Sequence, residues 1–225
     1  MKLIGSFFLL AAFSAVAQTP PRSTVQATGT ASVSVTPDQA QINISAITQA
    51  ATAQDAVSQN ATIATNIISQ LTQALGSSGT VKTVSFSVSP IYTFNNKDNT
   101  STLTGYTVTN SIQVTLNDLS IAGKIVDTAT QAGASRIDSL HFSLKDDTDA
   151  GSQALKAATV KAKAKADAMA ASVGAKTGAF LVIQESGAVI QPITTGVLAG
   201  AASTPIQAGT LNVTGNVTIS VELLQ

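Results

Sequence analysis

Between residues 25 and 46 apolar and polar side chains alternate, with one interruption. Val25, Ala27, Gly29, Ala31, Val33 and Val35 take every second position up to Thr36-Pro37-Asp38, after which Ala40, Ile42, Ile44 and Ala46 resume the alternation. A period of two is that of a half-buried strand, and Pro followed by Asp is turn chemistry, so a β-hairpin is expected here. The period changes at Thr52. Thr52-Ala53-Gln54-Asp55 resembles a capping box, and Val57, Ala61, Ala64, Ile68, Leu71 and Leu75 then recur every three or four residues until Gly76. This predicts an amphipathic helix with both ends marked.

Strand signals return at Val84, Phe86, Val88, Tyr92 and Phe94 and, beyond the polar turn at 95–101, at Tyr106, Val108, Ile112, Val114 and Leu116. They predict a second hairpin. Asn117-Asp118 opens a shorter helical pattern through Ala122, Ile125, Val126 and Ala129, closed by Gly133, and a strand follows over 137–144. In the third helix Asp146, Asp147 and Asp149 complement the positive end of the dipole, and Gly174 marks the exit. Leu155, Ala158, Ala162, Ala166, Met169 and Val173 are expected to line its buried face. Two last strands, 180–185 and 211–223, flank a Gly-, Ala-, Thr- and Pro-rich segment at 187–209 that reads as a long mobile loop.

The order β-β-α-β-β-α-β-α-β-β lacks strict strand-helix alternation and predicts an α+β fold, a mainly antiparallel sheet packed against helices. The crossover from the 106–116 strand through the short helix to 137–144 leaves room for one parallel pair.

The beginning of the chain changes where this fold is expected to work. Lys2, the apolar run from Leu3 to Phe13 and Ala15-Val16-Ala17 read as a secretory signal cleaved after Ala17. Residues 18–24 then form a short extension, and 25–225 is expected to be a single domain. The apolar run is shorter than the roughly 20 residues of a membrane span, so no transmembrane segment is expected in the mature chain. Removing 17 residues from 225 leaves 208, with Lys2 the only charge lost, so 11 basic side chains face 12 acidic ones. This near-neutral balance makes nucleic acid and anionic membrane surfaces poor partners. The absence of Cys in an exported chain leaves stability to packing and removes thiolate nucleophiles, thiolate metal sites and thiol redox chemistry.

Little catalytic chemistry stands out. His141 is the only histidine and is expected to face opposite Leu140 and Phe142; no nucleophile-elbow motif accompanies it, so an ordinary strand residue is the simpler reading. Asp146, Asp147 and Asp149 offer oxygen ligands to a hard cation but lack the downstream Glu of a twelve-residue calcium loop, and helix capping accounts for them. Lys156, Lys161, Lys163 and Lys165 are spread around their helix and read as a solvated face. Tyr92 and Tyr106 read as core or interface aromatics. Asn110 shares the row of Tyr106, Val108, Ile112 and Val114 and reads as a satisfied buried amide. Gly29 and Gly105 mark bulges or close backbone approaches. No catalytic residue, metal site or cofactor is assigned.

Several of these segments together resemble the SIMPL-domain family over about residues 25–224: Gly29-Thr-Ala-Ser-Val-Ser-Val-Thr-Pro-Asp38-Gln-Ala, Thr52-Ala-Gln-Asp-Ala-Val-Ser-Gln-Asn60-Ala, Pro90-Ile-Tyr92, Gly105-Tyr106-Thr-Val-Thr-Asn110, Asp118-Leu119, Ala132-Gly133-Ala134 and Ile183-Gln-Glu185. The chain departs from the commoner family wording near 95–101 and in its long 187–209 segment. The resemblance implies an exported, periplasmic or cell-envelope-associated protein that forms homo-oligomers, with no catalytic residue set and a link to oxidative or envelope stress. The strand face Thr107, Thr109, Ser111, Gln113 and Thr115 would offer subunit contacts at little cost in charge desolvation. Two other classes compete with this reading: a small-ligand or peptide-binding module with 187–209 as its lid, and a hydrolase built on His141.

Overall fold

A computed structural model describes residues 23–193 and 206–225. The signal at 1–17 and the middle of the 187–209 segment lie outside the described residues. The elements run β1 (Thr24–Val35), β2 (Gln39–Ala50), α1 (Ala53–Leu75), β3 (Gly79–Asn95), β4 (Thr100–Leu116), α2 (Ala122–Gln131), β5 (Arg136–Ser143), α3 (Thr148–Ser172), β6 (Lys176–Ile193) and β7 (Thr210–Leu224), with a short 3-10 turn, Leu119–Ile121, before α2. The fold is α+β and its element order is the expected one. The strands form two antiparallel sheets, one ordered β1-β7-β6 and the other β3-β4-β2-β5.

The pairing departs from the expectation in two places. β1 and β2 are not a hairpin: β1 pairs with β7, from Thr24 opposite Glu222 to Val35 opposite Leu211, whereas β2 pairs with β4 and β5. Tight two-residue hairpin turns use residues at positive φ, and none occurs at Thr36-Pro37-Asp38. The chain crosses there from one sheet to the other, and Asp38 ties the crossing down. Its backbone N–H donates to the Ser143 carbonyl at 3.2 Å, and its carboxylate accepts from the Lys145 backbone N–H at 2.8 Å. No parallel pair forms among the described strands either. β4 and β5 flank β2 on opposite sides, each antiparallel to it, so they run in one direction without touching.

Large side chains fill the core of the four-stranded sheet. Ile42, Ile44, Ile67, Leu71, Ile112, Leu116 and Ile125 are fully buried between β2, β4, α1 and α2. Burial of such a side chain contributes about 1.5–3 kcal/mol. α1 begins as the capping pattern predicts, Thr52 Oγ1 accepting from the Asp55 N–H at 3.1 Å. Its buried stripe, however, is Ala56, Asn60, Ala64, Ile67, Leu71 and Leu75, one residue away from the expected Val57, Ala61 and Ile68 at three positions. Asn60 causes the shift. A polar side chain reads as solvent-facing, but this one is buried and its Nδ2 donates to the Ala46 carbonyl of β2 at 3.0 Å.

Close approach, not bulk, makes the core of the three-stranded sheet. α3 turns Ala150, Ala154, Ala158, Ala162, Ala166 and Ala170 toward it, one alanine at every fourth position. Opposite them lie Gly29 of β1 and Gly215 of β7. A Cβ at Gly29 would stand 2.0 Å from the Ala158 carbonyl oxygen, and one at Gly215 would stand 2.9 Å from backbone atoms of Ala154 and Leu155. Met169 and Val173, expected in this interface, are exposed, Val173 to 69%. Steps of four residues fall 40° beyond a full turn in an ideal helix, so the alanine row winds slowly around α3 and leaves those two side chains outside.

β6 is also longer than its sequence predicts. It continues past Gly187 to Ile193, pairing Ala188 with Gly215 and Ile193 with Thr210. Gly187, at φ +79°, lies where the register slips between Glu185 and Ala188, so it kinks the strand through a bulge instead of ending it.

Two stability outcomes follow. Gly29→Ala is expected to cost about 3 kcal/mol or more in urea unfolding, since its methyl group meets helix backbone that cannot rotate away. Thr52→Ala is expected to cost about 1 kcal/mol, the usual loss for an N-cap, with the unfolding slope unchanged.

Candidate functional site

His141 stands exposed on β5, opposite Gln41 of β2. As expected, it faces away from Leu140 and Phe142, which pack against the core. Its serine neighbours on the strand are engaged elsewhere: Asn43 Nδ2 donates to Ser139 Oγ at 3.0 Å, and Ser143 Oγ donates to Gln39 Oε1 at 3.5 Å. Among the described residues no hydrogen bond joins His141 to a hydroxyl or a carboxylate. The relay from acid to base to nucleophile that a serine hydrolase requires is therefore not assembled around it.

The carboxylates with displaced ionisation serve local structure. Asp146 is held below the usual carboxylate range by the Thr148 hydroxyl and by the Thr148 N–H, which it accepts at 2.9 Å. The Ser120 hydroxyl and N–H do the same for Asp118 at the entry to the 3-10 turn. Asp167 is lowered by its hydrogen bond from Lys163 at 2.5 Å and then by Thr177. All three move toward the ionised form, opposite to the raised pKa that a general acid uses at neutral pH. The expected capping role of the acidic cluster thus falls to Asp146; Asp147 occupies the N-cap position of α3 without a side-chain bond. No cluster of metal-ligating side chains forms among the described residues.

Asn110 is buried on β4, opposite Ala46 and Phe86, but the expected satisfaction of its amide is incomplete: Oδ1 has no hydrogen-bond partner. Asn60 Oδ1 shares that condition. Gly105, like Gly29, marks a close approach, since a Cβ there would lie 2.8 Å from the Ala50 carbonyl oxygen. Tyr106 is half-buried, whereas Tyr92 is 60% exposed and is not a core residue.

Surface chemistry sets the strands apart more than any cleft does. The outer face of the three-stranded sheet carries a hydroxyl and amide ladder, with Thr28 bonded to Thr218 at 2.9 Å, Thr30 to Asn216 at 2.6 Å, Ser32 to Thr214 at 2.8 Å and Ser34 to Asn212 at 2.7 Å. The four edge strands differ sharply. On β1 the Thr28 carbonyl accepts from Lys165 Nζ of α3 at 2.8 Å, and on β5 Arg136 pairs with Asp138. β3 instead exposes Val84, Phe86, Val88, Tyr92 and Phe94, and β6 exposes Phe180, Leu181, Val182, Ile183 and Val189. Long apolar edges with free backbone donors and acceptors are templates for further strand pairing. Alternation alone reveals the strands, but which of them end as edges depends on the pairing.

Two 26 kDa periplasmic immunogenic proteins, from Brucella melitensis biotype 1 and Brucella abortus strain S19, are each 29% identical to this chain over 186 residues, covering 81% of it and 74% of the relative. The model of the SIMPL family, described as a protein of unknown function (DUF541), matches residues 25–221, from the second residue of β1 almost to the end of β7. With nearly every described element inside that match, the chain belongs to the SIMPL family.

Proposed function

We propose that this is a non-enzymatic, exported protein that acts in the periplasm or cell envelope through self-assembly, with a protective role under oxidative or envelope stress. Export and location rest on the leader-like residues 1–17 and on the periplasmic naming of the Brucella relatives. The non-enzymatic reading rests on His141 standing apart from hydroxyls and carboxylates and on the structural roles of Asp118, Asp146 and Asp167.

One observation carries the assembly: ten of the fifteen large apolar side chains exposed among the described residues lie on β3 and β6. Apolar surface gathered on two edges, not scattered, is the pattern of a surface covered by another chain. Protection would not run through thiol chemistry, because the chain has no Cys.

Light scattering on residues 18–225 over a concentration series is expected to show a mass several times that of one chain. A single-chain mass throughout would refute assembly. Cells lacking the protein are expected to survive peroxide exposure less well than cells with it restored; equal survival would refute the protective role while leaving assembly standing.

A further inference from the structure

We infer that the outer face of α3 binds one long-chain carboxylate, its head between Lys156 and Lys161 and its alkyl tail laid over Val160 toward Phe180 of β6. The inference goes beyond the self-assembly reading and does not depend on it.

The shape and polarity of that face point to a long, thin apolar body. A helix turns about 100° per residue. With the alanines at every fourth position on the sheet, Gln153, Ala157, Val160 and Ala164 fall together on the side facing away from it. Val160, the largest apolar side chain among them, is 65% exposed. Two open cavities meet at Val160. One, of 460 Å³, is lined by Gln153, Lys156, Ala157, Val160 and Lys161. The other, of 410 Å³, passes Val160 and Ala164 to reach Phe180, with Thr159, Lys163 and Asp167 also on its walls. Each has the volume of a small-molecule site. From Gln153 to Ala164 the face extends about 16 Å along the helix axis. Its floor is narrow and apolar along that length, which suits an extended alkyl chain, and the methylene stems of Lys156 and Lys161 add apolar surface beside it.

Charge gives the body its head. The four lysines of α3 read in the sequence as one solvated face, but they fall into two pairs. Lys163 donates to Asp167 at 2.5 Å and to Thr177 at 3.0 Å, and Lys165 donates to the Thr28 carbonyl at 2.8 Å, so both are engaged within the fold. Lys156 and Lys161 make no hydrogen bond or ion pair among the described residues. They flank the apolar strip on opposite sides, Lys156 one turn before Val160 and Lys161 one turn after Ala157, and no carboxylate lines the cavity they share. Two uncommitted ammonium groups beside an apolar floor fit an anion joined to an apolar chain, since charged hydrogen bonds hold the head while the chain leaves water. Asp167 sets the direction: its carboxylate at the other end of the face disfavours an anionic head there, so the tail points toward Phe180. The mature chain is close to neutral and lacks the broad positive field that holds a protein to an anionic bilayer, so the fit is to a single molecule and not to a membrane surface.

The test is calorimetric titration of residues 18–225 with sodium dodecanoate, kept below its micelle-forming concentration. Saturable binding of one molecule per chain is expected, with none for dodecyltrimethylammonium, which has the same tail and the opposite charge. Lys156→Gln and Lys161→Gln are each expected to weaken dodecanoate binding about tenfold, the scale of one lost charged hydrogen bond. Val160→Asp is expected to abolish it, whereas Lys124→Gln on α2 leaves it unchanged. All four positions are exposed, and thermal melting checks that each variant stays folded; Val160→Ser replaces Val160→Asp if that variant does not. No binding of dodecanoate, equal binding of the cationic amphiphile, or undiminished binding by both lysine variants would each overturn the inference. Two other occupants of the face have their own signatures. Flotation with phosphatidylglycerol vesicles that Val160→Asp abolishes would make it a membrane contact, and a fall in light-scattering mass for Val160→Asp would make it a contact between copies. Either result overturns the inference, while self-assembly is judged separately from the mass of the unsubstituted chain.

Discussion

Helix α3 lies close on its sheet because glycine faces alanine at two points of the crossing, with Val213, Val217, Ile219 and Val221 packed around them. Ala158 and Ala162 of the helix meet Gly29 of β1, and Ala154 meets Gly215 of β7, with backbone against backbone. The arrangement trades bulk for proximity. Each alanine contributes little apolar area, but close contact recovers dispersion energy where helix and sheet cross. The contact also fixes the neighbours of α3. With the helix held this near, Lys165 reaches the Thr28 carbonyl, and Lys163 joins Asp167 and Thr177 at the start of β6.

The two halves of the fold solve the burial problem differently. Around β2 and β4, isoleucines and leucines from strands and helices interlock around two buried amides, Asn60 and Asn110; Asn60 Nδ2 donates to the Ala46 carbonyl, and the Oδ1 of each has no partner. Around β7 the core is thin, and one neighbouring strand leaves much of its apolar surface outside. That strand is β6: its central run from Phe180 to Ile183 contains only large apolar residues, too many for the area α3 covers. Side chains that the fold does not use internally are where recognition by another chain begins.

The sequence made local structure legible and partnership mostly not. Thr52 and Asp55 mark the start of α1 because a cap is a matter of neighbouring residues. The β3–β4 hairpin is equally readable, since a short polar turn leaves two adjacent strands little choice. β1 and β2 alternate just as cleanly, yet they separate, because alternation states that a strand has two faces and does not say what lies beside it. The stripe on α3 differs from its hydrophobic pattern for a related reason. Hydrophobicity draws Met169 and Val173 inward, but the glycines of β1 and β7 admit only alanine at that distance, and they are far away in the chain. At the candidate site, alternation with Leu140 and Phe142 is enough to turn His141 away from the core, while the edges of β3 and β6 follow only from strand order.

The pairing of β1 with β7 sets an order of events. Every other element of the fold separates β1 in the chain from its hydrogen-bonding partner, Thr210–Leu224. Until the two meet, β1 must remain solvated without seizing a wrong neighbour. Its sequence, Thr-Val-Gln-Ala-Thr-Gly-Thr-Ala-Ser-Val-Ser-Val, suits a waiting strand: hydroxyls at alternate positions, small apolar residues between them, and no Ile, Leu or aromatic ring to drive premature collapse. The small residues that let α3 approach in the finished protein are also those that keep β1 unassociated beforehand, so the three-stranded sheet closes only once β7 has joined it.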